Sequence, residues 1–228
     1  MHHAFFVKKI SDFFSNVCVY VEKTSNHKYP FATDHPFERR RDHYELEKWF
    51  GGRVVRISEI TYTKSFDDLN SALAIDALSR ETVDIVVTFG TRFLKKEVID
   101  LFPGKIFNLH GGDSSRYRGL DSHLWAIYHK DFGSLITTLH YLEQNLDAGS
   151  IIMQGEIKVG KGMSIESLRS VNTELCITMT CSLIDCISRF NAVPSRKLWN
   201  LGRYYSAMPT EFKEVCVSRF NTYTQYII

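Results

Sequence analysis

Three residues in the middle of the 228-residue chain, Asn108, His110 and Asp147, are of the types that move a proton and steady a developing negative charge. A histidine at the end of a strand, with an acid close by, holds a proton near neutral pH. The Asn108 amide donates to an oxyanion without titrating. Asp147 sits in the turn Asn145-Leu146-Asp147-Ala148-Gly149, where the backbone can project a carboxylate inward. An aspartate beside a histidine favours the imidazolium and raises its pKa. Together the three suit attack of an amine on a carbonyl carbon, with no metal required. Singly, each has an ordinary explanation. Asn-x-His arises by chance, and Asp before Ala-Gly forms turns. His123 and His140 read as packing or surface histidines.

The elements that must position this trio alternate. Residues 2–15 read as an amphipathic helix, with Phe5, Phe6, Ile10, Phe13 and Phe14 at helical spacing. Val17–Val21 and Val54–Ile57 are apolar, β-branched runs and are read as strands. Residues 26–36, with Pro30, Asp34 and Pro36, read as loop. A helix over 41–50 stops at Gly51-Gly52. Ser65, with Asp67 and Asp68 behind it, is expected to cap a helix reaching Arg80. Val83–Phe89 is the clearest buried strand, a short helix covers 94–101, and Pro103-Gly104 lead into a strand over 105–109. This alternation predicts βαβ units, hence an α/β chain with a mostly parallel sheet covered on both faces. Ligands gather at the carboxyl ends of such strands, here Gly90-Thr91-Arg92 and His110-Gly111-Gly112. Beyond lie a helix over 122–129, strands over 135–141 and 150–157, a long helix over 164–190 capped by Ser164, and a tail helix from Thr210. One feature is unusual: a doubly wound sheet opens with a strand, whereas this chain opens at a helix.

Composition narrows the class. With 28 Lys and Arg against 26 Asp and Glu, a net charge of +2 gives no electrostatic case for nucleic acid. The basic run Arg39-Arg40-Arg41 reads as a solvated helix start. No apolar stretch approaches the roughly 20 residues that span a bilayer. Lys8 and Lys9 break up any signal-peptide pattern at the N-terminus. Five cysteines without framework spacing argue for a reducing compartment, so the expected setting is the cytoplasm. Cys176, Cys181 and Cys186 recur at intervals of five, unlike metal ligands, and read as buried apolar fillers.

The block from Phe107 to Gln154 resembles the folate-dependent formyltransferase family. The resemblance lies in Asn108-Leu109-His110, then Tyr117-Arg118-Gly119, Trp125-Ala126-Ile127, the strand end Thr137-Thr138-Leu139-His140, and Asp147-Ala148-Gly149 running on to Gln154. It covers roughly residues 83–190 and is weak before residue 80. It implies a Rossmann-like formyltransferase fold, with a catalytic domain over 1–190 and a short C-terminal extension over 191–228. It also implies 10-formyltetrahydrofolate as cosubstrate, His110 as general acid/base, Asn108 on the oxyanion, and Asp147 tuning and orienting His110. Thr91, Arg92, Phe93 and Leu94 would line a pterin pocket through backbone groups, closed by the loop that begins Leu142-Glu143. The chain departs from the family's Pro-Ser-Leu-Leu-Pro loop. Gly111-Gly112-Asp113-Ser114-Ser115 stands there, a more polar loop expected to be more flexible.

Gly202-Arg203-Tyr204-Tyr205 looks like the Tyr-Tyr element of sugar N-formyltransferases, enzymes of surface-polysaccharide (lipopolysaccharide) pathways. That likeness makes a nucleotide-linked 4-amino-4,6-dideoxyhexose the expected acceptor. Tyr117, Arg118, Tyr204 and Tyr205 are its expected contacts, and the two tail tyrosines serve equally as docking points on the core. The alternatives are a glycinamide ribonucleotide-type formyltransferase and a non-catalytic binding module of the same fold. Enzymes of this kind are often dimers. Phe220, Tyr223, Tyr226, Ile227 and Ile228 offer an apolar tail for a homodimer contact or for folding back on the core.

Overall fold

A computed structural model describes residues 1–23 and 29–227. The expected loop residues 26–28 and the terminal Ile228 lie outside the described residues. The molecule is α/β, with helices α1 (His2–Phe13), α2 (Pro36–Phe50), α3 (Ala72–Ser79), α4 (Lys96–Ile99), α5 (Ser122–Tyr128), α6 (Ile165–Phe190) and α7 (Thr210–Gln225). Its strands are β1 (Cys18–Glu22), β2 (Tyr62–Phe66), β3 (Val86–Phe89), β4 (Ile106–His110), β5 (Tyr117–Gly119), β6 (Ile136–Tyr141), β7 (Ile151–Glu156) and β8 (Arg203–Tyr205). β1 and β2 pair in parallel, β3-β4-β6-β7 form a four-stranded sheet, and β5 pairs in parallel with β8. The β3–β4 pair is parallel, whereas β6 runs antiparallel to both β4 and β7.

Two expectations need correction. Val54–Arg56 are in no strand, and Ile57–Glu59 form a 3₁₀ turn. The strand comes later, at Tyr62–Phe66, where alternating polar residues suit a sheet edge. Ser65 therefore pairs with Val21 and caps nothing. The Asp68 carboxylate instead accepts the Asn70 amide at 2.8 Å, a local turn that competes with helix. α3 starts at Ser71, whose hydroxyl accepts the Ala74 amide. α2 also begins earlier than expected, because Pro36 occupies its first position and His35 and Glu38 form a capping box. β5 and β8 are three residues each, too short to carry a periodic signal.

Three apolar clusters hold the layers together. Phe6, Val7 and Ile10 of α1 pack on Phe107, Leu109 and Leu139 of the sheet and on Leu183 of α6. Leu78, Val98, Phe102 and Ile106 fill the opposite side. Phe37, Ile127, Ile165, Met208, Cys216 and Phe220 join α2, α5, α6 and α7. The last cluster folds the tail onto the core, and Tyr223 stacks on Phe132 at 3.7 Å, while Tyr226 stays 78% exposed. α6 and α2 are further joined by a buried pair, Arg169 donating to both Glu45 oxygens at 2.7 and 2.6 Å. Of the three α6 cysteines only Cys176 is buried; Cys181 and Cys186 are half-buried. Among the described residues no helix is long and apolar enough to cross a membrane.

Candidate active site

Strand geometry assembles the trio. Alternation along β4 puts Phe107 and Leu109 in the core, 1% and 3% exposed, and turns Asn108 and His110 to the other face. β6 lies alongside with His140 opposite Asn108 and Thr138 opposite His110. Asp147 arrives from the turn between β6 and β7, in a left-handed conformation (φ 50°) that aspartate tolerates better than most residues. Glycine is required at the end of that turn. A Cβ on Gly149 would sit 1.8 Å from the Tyr141 carbonyl oxygen, so the turn closes on β6 backbone to backbone. Gly149→Ala is therefore expected to cost about 1–3 kcal/mol and to displace Asp147. Denaturant unfolding and turnover of one preparation check both effects.

Asp147 is the hub. Its Oδ2 accepts the Gly119 amide at 2.9 Å and faces His110 Nδ1 at 3.4 Å. Its Oδ1 accepts from Asn108 Nδ2 at 3.2 Å and stands 3.6 Å from His140 Nε2. The second hydrogen of that amide points to His140 Nε2 at 3.1 Å, and the Asn108 carbonyl oxygen accepts from the Thr88 hydroxyl at 2.7 Å. Every hydrogen-bonding group of Asn108 is thus engaged. The network assigns the tautomer of His140: Nδ1 donates to the Tyr141 carbonyl at 2.8 Å, so Nε2 accepts from Asn108. His110 Nε2 donates to the Tyr117 carbonyl at 2.8 Å, which leaves Nδ1 with its lone pair turned to the Asp147 carboxylate.

Electrostatics agree with that assignment. Burial pushes the His110 pKa below its usual value, against an opposing pull from Asp147. Burial alone would raise the Asp147 carboxyl, but His110, His140 and the Gly119 amide outweigh it and hold it below the ordinary range. Burial thus favours the neutral imidazole of His110, while the groups around Asp147 favour its carboxylate. One added proton would let the imidazolium donate from both nitrogens to oxygens already in place.

The remaining expected residues fall into three groups. Thr91, Arg92 and Phe93 are exposed after β3, while Leu94 is buried in the cluster that Leu142 also joins. Glu22 holds this segment by accepting the Arg92 backbone amide at 3.4 Å and pairing with its guanidinium at 2.8 Å. Asn70 Nδ2 donates to the Phe93 carbonyl at 3.0 Å. Glu143 is exposed. A cavity of about 370 Å³ between α4 and the end of β6 includes Leu142, Phe102 and Tyr141 in its wall, and the trio does not reach it.

Tyr117 and Arg118 have structural bonds. The Tyr117 hydroxyl donates to Asp131 at 3.1 Å, and its carbonyl orients His110. Arg118 donates to the carbonyls of Gly202 and Leu146 at 2.7 and 3.0 Å, strapping the tail to the turn that carries Asp147. The tail tyrosines differ. Tyr205 stacks on Trp125 at 4.8 Å and its hydroxyl meets His129 at 3.1 Å. Tyr204 is 55% exposed, its ring against Gly119, the residue whose amide binds Asp147.

Sequence reading passed over His140, which is 1% exposed and central to the network. Strand alternation puts His140 on one face with Thr138, and the β4–β6 register sets it opposite Asn108. His123, read from the sequence as a packing or surface histidine, donates from Nε2 to the Ile136 carbonyl at 2.8 Å, and burial lowers its pKa to about 4. The loop Gly111–Ser115 is not loose. Gly112, Asp113 and Ser114 are buried, Thr138 donates to the Gly112 carbonyl at 2.7 Å, and Asp113 accepts from Ser115 and Gln154. Among the described residues no group of three or more His, Cys, Asp or Glu is placed to hold a metal ion.

Known proteins share this arrangement of elements. A family model described as formyl transferase matches residues 51–175, more than half of the chain. The fold is similar to the formyltransferase PseJ from Anoxybacillus kamchatkensis, solved with UDP-4,6-dideoxy-4-formamido-L-AltNAc and tetrahydrofolate: TM-score 0.53, 18% identity, 83% of this chain and 85% of that one. It is similar to an N-formyltransferase from Helicobacter canadensis, solved with folinic acid and dTDP-3-aminofucose: TM-score 0.52, 16% identity, 92% of this chain and 80% of that one. Glycinamide ribonucleotide transformylase 1 from Symbiobacterium toebii also matches: TM-score 0.54, 18% identity, 79% of this chain and 92% of that one.

Proposed function

The chain belongs to the formyl transferase family, and on that premise we propose that it moves the formyl group of 10-formyltetrahydrofolate onto the amine of a nucleotide-linked amino sugar, such as a dTDP-4-amino-4,6-dideoxyhexose. The observation that carries this reading is the facing pair His110 Nδ1 and Asp147 Oδ2, 3.4 Å apart at the carboxyl end of β4. The acceptor nitrogen attacks the formyl carbon, and the carbonyl pair becomes an oxyanion. His110 Nδ1 takes the proton that the nitrogen sheds, and Asp147 and the Tyr117 carbonyl hold the resulting imidazolium. Asn108 redirects the N–H hydrogen bond it gives His140 to the oxyanion as charge develops. Collapse breaks the bond from carbon to the folate nitrogen, which receives the proton from His110. The products are a formamide and tetrahydrofolate.

In this reading the segment Thr91–Leu94 and the loop opening at Leu142-Glu143 enclose the pterin. Tyr204 stacks on the acceptor's base, and Tyr205 backs it. Tyr204→Ala is then expected to raise the acceptor KM about tenfold, at the low end of the roughly 1–3 kcal/mol a stacked base contributes. Tyr205→Ala is expected to lower stability by about 2 kcal/mol or more, because it removes a ring packed between Trp125 and Tyr117. Acceptor titrations and unfolding curves on both variants separate the two roles.

Incubation with 10-formyltetrahydrofolate and dTDP-4-amino-4,6-dideoxyglucose tests the acceptor class, with the formamide product read by mass spectrometry. One observation favours a second reading, a glycinamide ribonucleotide-type formyltransferase: the likeness to the Symbiobacterium enzyme extends over 92% of that chain. Turnover of glycinamide ribonucleotide, with none of any amino sugar, would select it.

A further inference from the structure

The β5–β8 ribbon has two different faces. Its register sets Tyr117 beside Arg203, Arg118 beside Tyr204, and Gly119 beside Tyr205. Paired residues of a parallel ladder share a face, and successive residues of a strand alternate. Arg118 and Tyr204 therefore stand on one side, and Tyr117, Arg203 and Tyr205 on the other. The first side belongs to the trio, because Arg118 reaches the Leu146 carbonyl next to Asp147. On the second side Arg116, Tyr117, His129, Asp131 and Tyr205 line an open cavity of about 350 Å³, and the trio lies outside its wall. That volume falls within the range of small-molecule sites. The two tail tyrosines face different spaces.

The wall of this cavity offers three kinds of contact. The first is aromatic: Tyr205 stacks with Tyr117 at 5.6 Å, and the exposed His129 ring lies 28° from the plane of Tyr117. The second is cationic. Arg203 is exposed, its guanidinium lies 5.3 Å from the centre of the Tyr205 ring, and among the described residues it pairs with no carboxylate. Arg116 is 61% exposed and gives one nitrogen to Asp131 at 3.0 Å, which leaves the rest of its fork unused. The third is a single acceptor. Asp131 Oδ2 accepts from Arg116, Tyr117 and Ser134, whereas its Oδ1 has no partner among the described residues. Burial acts to raise this carboxyl, but Ser134, Arg116 and Tyr117 outweigh it and hold it below the ordinary range. Rings, an excess of guanidinium and one open carboxylate oxygen suit a ligand with a planar ring, an anionic group and a hydroxyl donor. A nucleoside phosphate carries all three.

We propose that the cavity behind the β5–β8 ribbon is a second ligand site, which binds a nucleoside monophosphate. The base packs against Tyr205 and His129. The phosphate pairs with Arg203 and with the unused nitrogens of Arg116, since guanidinium matches phosphate geometry. A ribose hydroxyl donates to Asp131 Oδ1. The acceptor of the proposed reaction sits on the opposite face, with Tyr204. Tyr117 borders both sites: its hydroxyl bonds Asp131 in the cavity wall, and its carbonyl holds His110 Nε2. This second site is independent of which amine the trio formylates.

Titration calorimetry of the full chain with adenosine 5′-monophosphate tests the proposal, with adenosine and inorganic phosphate as separate arms. Saturable binding is expected in the parent, with adenosine and phosphate each at least about tenfold weaker, since each lacks one of the contacts. Arg203→Gln and His129→Ala should each weaken the nucleotide at least about tenfold, through the lost charge and the lost ring. Both replaced side chains are exposed, and circular dichroism checks that each variant is folded. Tyr204→Ala, which lies on the trio's side, should leave this affinity within about twofold of the parent. Four results would overturn the proposal: no saturable binding in the parent, phosphate or adenosine binding as tightly as the nucleotide, undiminished binding in folded Arg203→Gln or His129→Ala, or loss of binding in Tyr204→Ala.

Discussion

Replacing His110 by alanine is expected to lower kcat by about 10²–10⁴-fold, the range that a positioned general acid/base supplies. The acceptor KM should move little, because what is lost is a proton transfer made only during the reaction. The geometry makes His110 hard to replace. Its Nε2 is committed to the Tyr117 carbonyl, and a Cβ on Gly112 would lie 2.5 Å from that atom, so the ring has no room to turn. His110 is only 6% exposed, so alanine also leaves a cavity. His110→Gln keeps a donor for Tyr117 and most of the volume while removing the basic nitrogen. Both variants should unfold cooperatively, with the same collapse in kcat. Activity within tenfold of the parent in a folded His110→Gln protein would show that the proton goes elsewhere.

Asp147→Asn should cost about 10²–10³-fold in turnover, the scale of losing one preorganised charge contact. Asparagine tolerates the left-handed backbone at this position as well as aspartate does, so the turn survives. The change also has a pH signature. Burial depresses the His110 pKa and Asp147 pulls it back up. The reaction needs the free base, so kcat/KM of the parent should stay level from above the ordinary histidine pKa of roughly 6.5 to below it. It should fall only as the pH drops through the lowered value. Removing the carboxylate removes the upward pull, and the acid limb should move to lower pH still. Stability carries the same sign. The contribution of neutral His110 is complete above the ordinary histidine pKa and is lost as pH falls through the folded value. A limb that moves to higher pH in Asp147→Asn would contradict the pairing.

Much of this site was legible because its parts are local. Asn108 and His110 are two residues apart on a strand whose apolar partners, Phe107 and Leu109, announce its buried face. The Asp-x-Gly turn declares itself through glycine, and the backbone contact at Gly149 supplies the reason. His140 was missed since its role depends on the register between β4 and β6, and register is a property of two strands rather than one. Tyr117 and Arg118 also bond to Asp131, Gly202 and Leu146, partners from elsewhere in the chain that local sequence does not announce. The strand expected at Val54–Ile57 and the cap expected at Ser65 failed together. Once β2 pairs with β1 through Tyr62–Phe66, Ser65 is inside a strand and the helix must wait for Ser71.

In the proposed reaction His110 and Asp147 move a proton while a formyl group passes from folate to an amine. The most direct measurement is release of tetrahydrofolate from 10-formyltetrahydrofolate, with nucleotide-linked 4-amino sugars and glycinamide ribonucleotide offered side by side to the parent protein and to His110→Gln. Release that requires an amino sugar and disappears in His110→Gln is the predicted result. Binding of folate without release for any acceptor, or equal release by the parent and the variant, would contradict it.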